Sequence, residues 1–247
     1  MIGILSRAYG VIGIAFCVVV CTCTVVLVGL PLILIPKSHR WKIGIWFNIG
    51  LGVFFLRFFP LFARVSKKGL ENIPKDRGFL AIVNHRGAAD IPLILADTRA
   101  HGISKRLVLY FPGLGQLGYL GGALFFDRRK HSARRKVLVQ ALSRMKDGQP
   151  LHVYPEGTRM KNGKPRKVHL ALVEACYKAG IPVLPAALAG TERMVPMDIS
   201  MRPFRKISVS YRPLVEPKDF ENGQDFAQFC WAQVTEEVEC LESNGLN

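Results

Sequence analysis

No Gly-x-Ser-x-Gly elbow occurs anywhere in this chain, which removes the common device by which a serine hydrolase exposes its nucleophile at a strand end. Acidic residues are scarce, 18 Asp and Glu against 34 Lys and Arg in 247 residues. The resulting formal charge of +16 calls for anionic partners. No zinc-finger or RNP motif accompanies that charge, so nucleic acid is not the expected partner. Cys17, Cys21 and Cys23 lie inside an apolar stretch, and Cys176, Cys230 and Cys240 are scattered. None has paired metal-ligand spacing, so they read as packing residues in a reduced compartment and no metal is assigned.

Charge is also absent from Ala8 to Pro36, longer than the roughly 20 residues a helix needs to cross a bilayer. No small-x-small cleavage site ends the run, which argues against a signal peptide. Glycines and Pro31 interrupt it, so a bent or re-entrant helix stands beside a straight span. A second apolar segment runs from Ile43 to Leu56, then Arg57 and the aromatic Phe58-Phe59-Pro60-Leu61-Phe62. It is short for a crossing and suits a bilayer interface. Residues 1–63 are therefore expected to form a membrane-embedded helical hairpin, or a span plus an interfacial helix. The basic Lys37 to Lys42 cluster favours the cytoplasmic side.

The most informative polar segment is Asn84-His85-Arg86-Gly87-Ala88-Ala89-Asp90. It follows Phe79-Leu80-Ala81-Ile82-Val83, which reads as a buried strand, and precedes a new apolar element beginning at Ile91. A neutral imidazole, with an unperturbed pKa of roughly 6.5, can take a proton from a hydroxyl and return it. A carboxylate on its other nitrogen would fix the tautomer and stabilise the imidazolium. With no serine nucleophile in sight, His85 and Asp90 would more plausibly activate a hydroxyl of the substrate. A His–Asp pair at this spacing is weak evidence alone. It gains weight from a second polar turn, Tyr154-Pro155-Glu156-Gly157-Thr158-Arg159, again after an apolar run, Leu151-His152-Val153.

These two segments resemble the first and third sequence blocks of the glycerophospholipid acyltransferases, whose commonest members are lysophosphatidate acyltransferases. Gly122-Ala123-Leu124-Phe125-Phe126-Asp127-Arg128 is similar to the second block and Ile181-Pro182-Val183-Leu184-Pro185 to the fourth, in the family order. The resemblance implies transfer of a fatty acyl group from acyl-CoA or acyl carrier protein, as co-substrate, to the sn-2 hydroxyl of 1-acylglycerol-3-phosphate in phospholipid biosynthesis. It implies no other cofactor. Another lysolipid or glycerol-3-phosphate is the near alternative as acceptor, and a non-catalytic lipid-binding membrane protein the distant one. His85 and Asp90 map onto the family's base and orienter. Arg128, Glu156, Gly157, Thr158, Arg159 and Lys167 map onto its substrate-binding positions. Glu156 would repel a phosphate, so it is expected to hold an arginine or the Thr158 loop rather than touch the ligand. After the third block, Arg166-Lys167-Val168-His169 keeps the family's lysine but lacks its glycine.

Residues 64–247 are long enough for one catalytic domain. Strands are expected at Phe79–Val83, Leu107–Tyr110, Ala123–Phe126, Leu151–Tyr154, Val183–Leu188 and Ile207–Tyr211, with helices from Ser132 to Lys146 and from Val168 to Ala179. That alternation predicts an α/β fold, a mixed sheet flanked by helices. The basic clusters, Arg128 to Lys130, Arg134 to Lys136 and Arg159 to Lys167, would face lipid headgroups or the phosphates of coenzyme A. The expected location is a membrane with the catalytic domain facing the cytoplasm, and the compact length suits a bacterial inner membrane.

Overall fold

The computed structural model describes residues 2–36, 43–46, 49–50, 53, 63–87, 89–157, 168–194 and 205–245. Its centre is a seven-stranded sheet of order β1-β7-β6-β2-β5-β3-β4. The strands are β1 (Ala63–Lys68), β2 (Leu80–Val83), β3 (His101–Lys105), β4 (Leu124–Phe126), β5 (Leu151–Val153), β6 (Val183–Ala189) and β7 (Arg205–Tyr211). Among the described strand pairs only β6–β7 is antiparallel, so the sheet is mixed, as expected.

Strands β2 and β6 are buried at every position, because helices cover both faces of the central sheet, and they accordingly read as unbroken apolar runs. Alternate residues feed two cores. Leu80 and Ile82 join Val137, Ala141 and Met145 of α4 (His131–Lys146), Val173 and Cys176 of α5 (Ala171–Ala179), and Phe226 and Val234 of α7 (Gly223–Gly245). Ala81 and Val83 face the other way, toward Leu93 and Ile94 of α2 (Asp90–Thr98). Pro185 sits in β6 opposite Ile82. Its carbonyl accepts the Arg212 N–H at 2.9 Å, one residue beyond the Ala186–Tyr211 end of the β6–β7 ladder, so the missing N–H falls at the end of that ladder rather than inside it.

The N-terminal helix α1 (Ile2–Thr24) continues through a π-helical stretch, Val25–Gly29, into Leu30–Leu32. Residues Arg7–Leu32 are long and apolar enough to cross a membrane. One side of this helix lies on the αβ layers. Tyr9 and Ile14 pack against the core under α2. Further along, Gly113, just before α3 (Leu114–Leu120), approaches Cys21 and Thr22 so closely that an added Cβ would stand 2.7 Å from the Cys21 Cβ.

Two expectations are corrected. Leu107–Tyr110 is not a strand: it lies in a 3-10 turn, Arg106–Tyr110, and the strand is the preceding His101–Lys105. The polar residues of that segment hid it, while of the apolar residues after it Leu107 and Tyr110 are exposed, Val108 and Leu109 are half-buried, and none belongs to the buried core. The second helix starts at Ala171 rather than Val168, and Gly180 ends it with φ +67°, the left-handed conformation that stops a helix.

Candidate active site

Parallel strands all end on one edge of a sheet, and ligand sites in open α/β sheets gather there. His85 lies two residues past β2, and Tyr154 to Gly157 follow β5 directly, so the adjacency of β2 and β5 places these two turns side by side. Arg128 lies two residues past β4, two strands further on. Its long side chain spans the difference, and its Nη1 donates to the Gly157 carbonyl at 2.7 Å.

The turn after β2 is held from both sides. Asn84 is buried; its amide nitrogen donates to the Leu188 carbonyl at 2.8 Å and its oxygen accepts the Leu188 N–H at 2.7 Å. This side chain extends the ladder to β6 past the end of β2. Gly87 packs on the Thr191 carbonyl at the start of α6 (Thr191–Met194), where a Cβ would stand 2.6 Å from the oxygen. Asp90 opens α2, a position where the helix dipole favours a carboxylate.

One oxygen of Asp90 organises the turn. Its Oδ2 accepts the N–H groups of Arg86 at 2.6 Å and Gly87 at 2.9 Å, and lies 2.7 Å from His85 Nδ1. A buried carboxylate can only accept, so Nδ1 carries the proton and Nε2 keeps its lone pair. The imidazole is 17% exposed while Asp90 is fully buried. The ring is therefore bound to its acid and open on one side. Tyr154 stacks on it, with centroids 4.2 Å apart and planes at 23°.

Glu156 closes the contact between the two turns: its Oε2 accepts the His85 backbone N–H at 3.3 Å. Burial pushes its carboxyl up to about 7, with that bond and the Arg86 charge pulling the other way. Arg86 itself pairs with Glu242 near the end of α7 at 2.5 Å. Glu156 is expected to hold an arginine or the Thr158 loop; the hydrogen bond it makes among the described residues is instead to the His85 backbone. Gly157 adopts φ +70°, and a Cβ there would meet Arg128 Nη1 at 2.4 Å. Glycine thus allows the arginine to close on the turn. Thr158, Arg159 and Lys167 lie outside the described residues.

Asn84 and Tyr154 are the site residues to which the sequence assigned no role. The signal available for each was its place beside a motif residue at a strand end. His101 and His152 are buried histidines of another kind. Burial lowers each to about 4, and each bonds a backbone carbonyl, Gly121 at 2.6 Å and Ala100 at 2.8 Å. They brace the sheet.

A family model described as Acyltransferase matches residues 64–189, just over half of the chain. The chain belongs to the Acyltransferase family. It is 26% identical over 196 residues to the 1-acyl-sn-glycerol-3-phosphate acyltransferase BAT2, chloroplastic, of Brassica napus, covering 74% of this chain and 55% of that one. It is 28% identical over 156 residues to the 1-acyl-sn-glycerol-3-phosphate acyltransferase of Borreliella burgdorferi, covering 62% of each. The chain thus spans little more than half the length of these curated relatives. The crystal structure of the 1-acyl-sn-glycerophosphate (LPA) acyltransferase PlsC from Thermotoga maritima superposes with a TM-score of 0.79 at 26% identity, over 99% of this chain and 98% of that one. The Acyltransferase match covers β1 to β6 and with them each described site residue.

The pH response of Glu156 makes a separate prediction. Its pKa in the folded chain, about 7, lies above the ordinary 4.5. A carboxyl raised in this way contributes stability below the unfolded pKa that is lost as pH rises through the folded one. Glu156→Gln keeps an acceptor for the His85 N–H and removes the titration. Between about pH 5 and pH 8 the native protein should therefore lose melting temperature relative to the variant. Parallel melting curves across that range would mean that Glu156 stays ionised.

Proposed function

We propose that this chain moves a fatty acyl group from acyl-CoA or acyl carrier protein to the sn-2 hydroxyl of 1-acylglycerol-3-phosphate, forming phosphatidic acid. The observation that carries the reading is the Asp90–His85 pair with Nε2 available, linked through Glu156 and Gly157 to the guanidinium of Arg128. A base and an anion-binding cation on one sheet edge suit an acceptor that bears both a hydroxyl and a phosphate.

In the proposed reaction His85 Nε2 takes the proton of the acceptor hydroxyl as its oxygen attacks the thioester carbonyl. Asp90 stabilises the imidazolium so formed. The tetrahedral oxyanion collapses, the C–S bond breaks, and the thiolate leaves and is protonated from the imidazolium. A thiol with an ordinary pKa near 8.5 leaves readily, so neither a covalent enzyme intermediate nor a metal is needed. Arg128 receives the acceptor's phosphate together with Gly157, and the family resemblance assigns Thr158, Arg159 and Lys167 to the same binding role. Exposed cations beside it, Arg129, Lys130, Arg134 and Arg135, attract the phosphates of the donor or of the membrane surface.

In this reading residues 1–63 seat the enzyme in a membrane and residues 64–247 carry the chemistry on the cytoplasmic side. The packing of α1 favours a seat within one leaflet over a crossing. A helix held against the αβ layers from Tyr9 and Ile14 to Cys21 and Thr22 would drag those layers into hydrocarbon if it ran straight through. Its outer side, with Val11, Ile12, Val19, Leu27 and Leu34 exposed, is left to the lipid.

Purified protein, a labelled acyl thioester and a panel of lysolipids test the proposal directly. Phosphatidic acid should form, and transfer to no member of the panel would refute it. Arg128→Ala should raise the apparent KM for lysophosphatidate by about tenfold to a hundredfold with a smaller change in kcat. An unchanged KM would remove Arg128 from the phosphate site.

A further inference from the structure

Single exposed apolar side chains are ordinary on a protein surface, whereas a cluster of large ones marks a contact. Such a cluster stands on the catalytic layers themselves. Leu107 is 74% exposed, Tyr110 62% and Phe111 50%, with Leu114 and Tyr119 close behind in the sequence. They occupy the 3-10 turn Arg106–Tyr110 and the outer side of α3, where the chain leaves the carboxyl end of β3. That is the sheet edge which carries His85 and Arg128.

We propose that this turn and the outer side of α3 form a second bilayer-contacting surface, distinct from the N-terminal helix, which dips into the headgroup boundary of an anionic membrane. Three observations select a lipid bilayer as the occupant. First, α3 lies against α1: Gly113 meets Cys21 and Thr22, and the Leu120 side chain reaches Gly29. The cluster thus adjoins α1, whose other side is apolar and exposed. Second, Lys105 and Arg106 border it, and no Asp or Glu occurs between Asp97 and Asp127, a balance that suits acidic headgroups. Third, its aromatic residues include tyrosines, which place a ring in the apolar zone and a hydroxyl at the wet boundary. The surface would hold the sheet edge at the depth where a lysolipid presents its glycerol hydroxyl. This rests on the membrane reading above and adds a contact made by the catalytic layers.

The test uses the full chain in two measurements. Leu107→Trp, read as the difference from the native protein's own tryptophans, should be quenched on vesicles of phosphatidylcholine and phosphatidylglycerol with brominated acyl chains. The double variant Leu107→Glu with Phe111→Glu should acylate lysophosphatidate embedded in such vesicles about tenfold more slowly than native. It should keep the native rate on a short-chain, water-dissolved lysophosphatidate, which also shows that it folds. A tryptophan unquenched by bromolipid would overturn the proposal, as would a native rate on vesicles. Cross-linked dimers lost in the double variant would overturn it too, by assigning the surface to a second copy. If the native chain acylates no lysolipid, the proposed function fails while the quenching result still decides this surface.

Discussion

Replacing His85 by alanine should reduce turnover to below about one per cent of native, because general-base assistance contributes about 10²- to 10⁴-fold and, among the described residues, the His85 imidazole is the basic group oriented by a buried carboxylate with its other nitrogen open. The His152 ring is buried, with Nδ1 bonded to the Ala100 carbonyl. Tyr154 stacks on the imidazole, but burial holds the phenol proton on by pushing its pKa well above the ordinary value. The substitution should leave the framework standing. Asp90 Oδ2 keeps its bonds to the Arg86 and Gly87 amides, and Glu156 bonds the backbone N–H of residue 85, which alanine also possesses. Membrane attachment and the apparent KM for the acceptor should therefore change little. Initial rates with labelled thioester, together with a melting curve, check this. Residual turnover above a few per cent in a folded protein would remove His85 as the base.

The site was half legible in the sequence because its chemistry sits at strand ends, where an apolar run stops abruptly at a polar turn. His85 and Asp90 could be read because one turn and the start of α2 hold both. Local spacing alone brings them together. Glu156 could be found but not its partner, since its bond to the His85 amide depends on β5 lying beside β2, and strand order leaves no local trace. Arg128 is a stronger case, reaching the Gly157 carbonyl from beyond β4.

The fold shows the same division. The fully buried strands β2 and β6 announced themselves as apolar runs. The first strand did not: Ala63–Lys68 pairs with β7 at the sheet edge, where a strand can leave one face to solvent and needs few apolar residues. At Leu107–Tyr110 the error ran the other way. An apolar run promised a core strand, yet Leu107 and Tyr110 are exposed and Val108 and Leu109 only half-buried, and hydrophobicity by itself does not say which side of a residue is covered.

Asp90→Asn should lower kcat by about 10²- to 10⁴-fold, and the reason can be separated from the structural role of the side chain. Two of the three donors on Oδ2 are backbone amides of the turn, and an asparagine must offer them its carbonyl oxygen or leave them orphaned. With the carbonyl so placed, the turn keeps its shape and the negative charge facing the imidazolium is lost. With the amide NH₂ there instead, it confronts His85 Nδ1–H and forces the proton to Nε2, where the base is then disabled. Either arrangement costs rate. Asp90→Ala removes charge and acceptor together, so it should match the asparagine variant in lost turnover and exceed it in lost thermal stability. Comparing kcat and melting temperature across the three proteins checks both halves. An asparagine variant working within a few-fold of native would reduce Asp90 to a cap on α2 and leave His85 without its orienting acid.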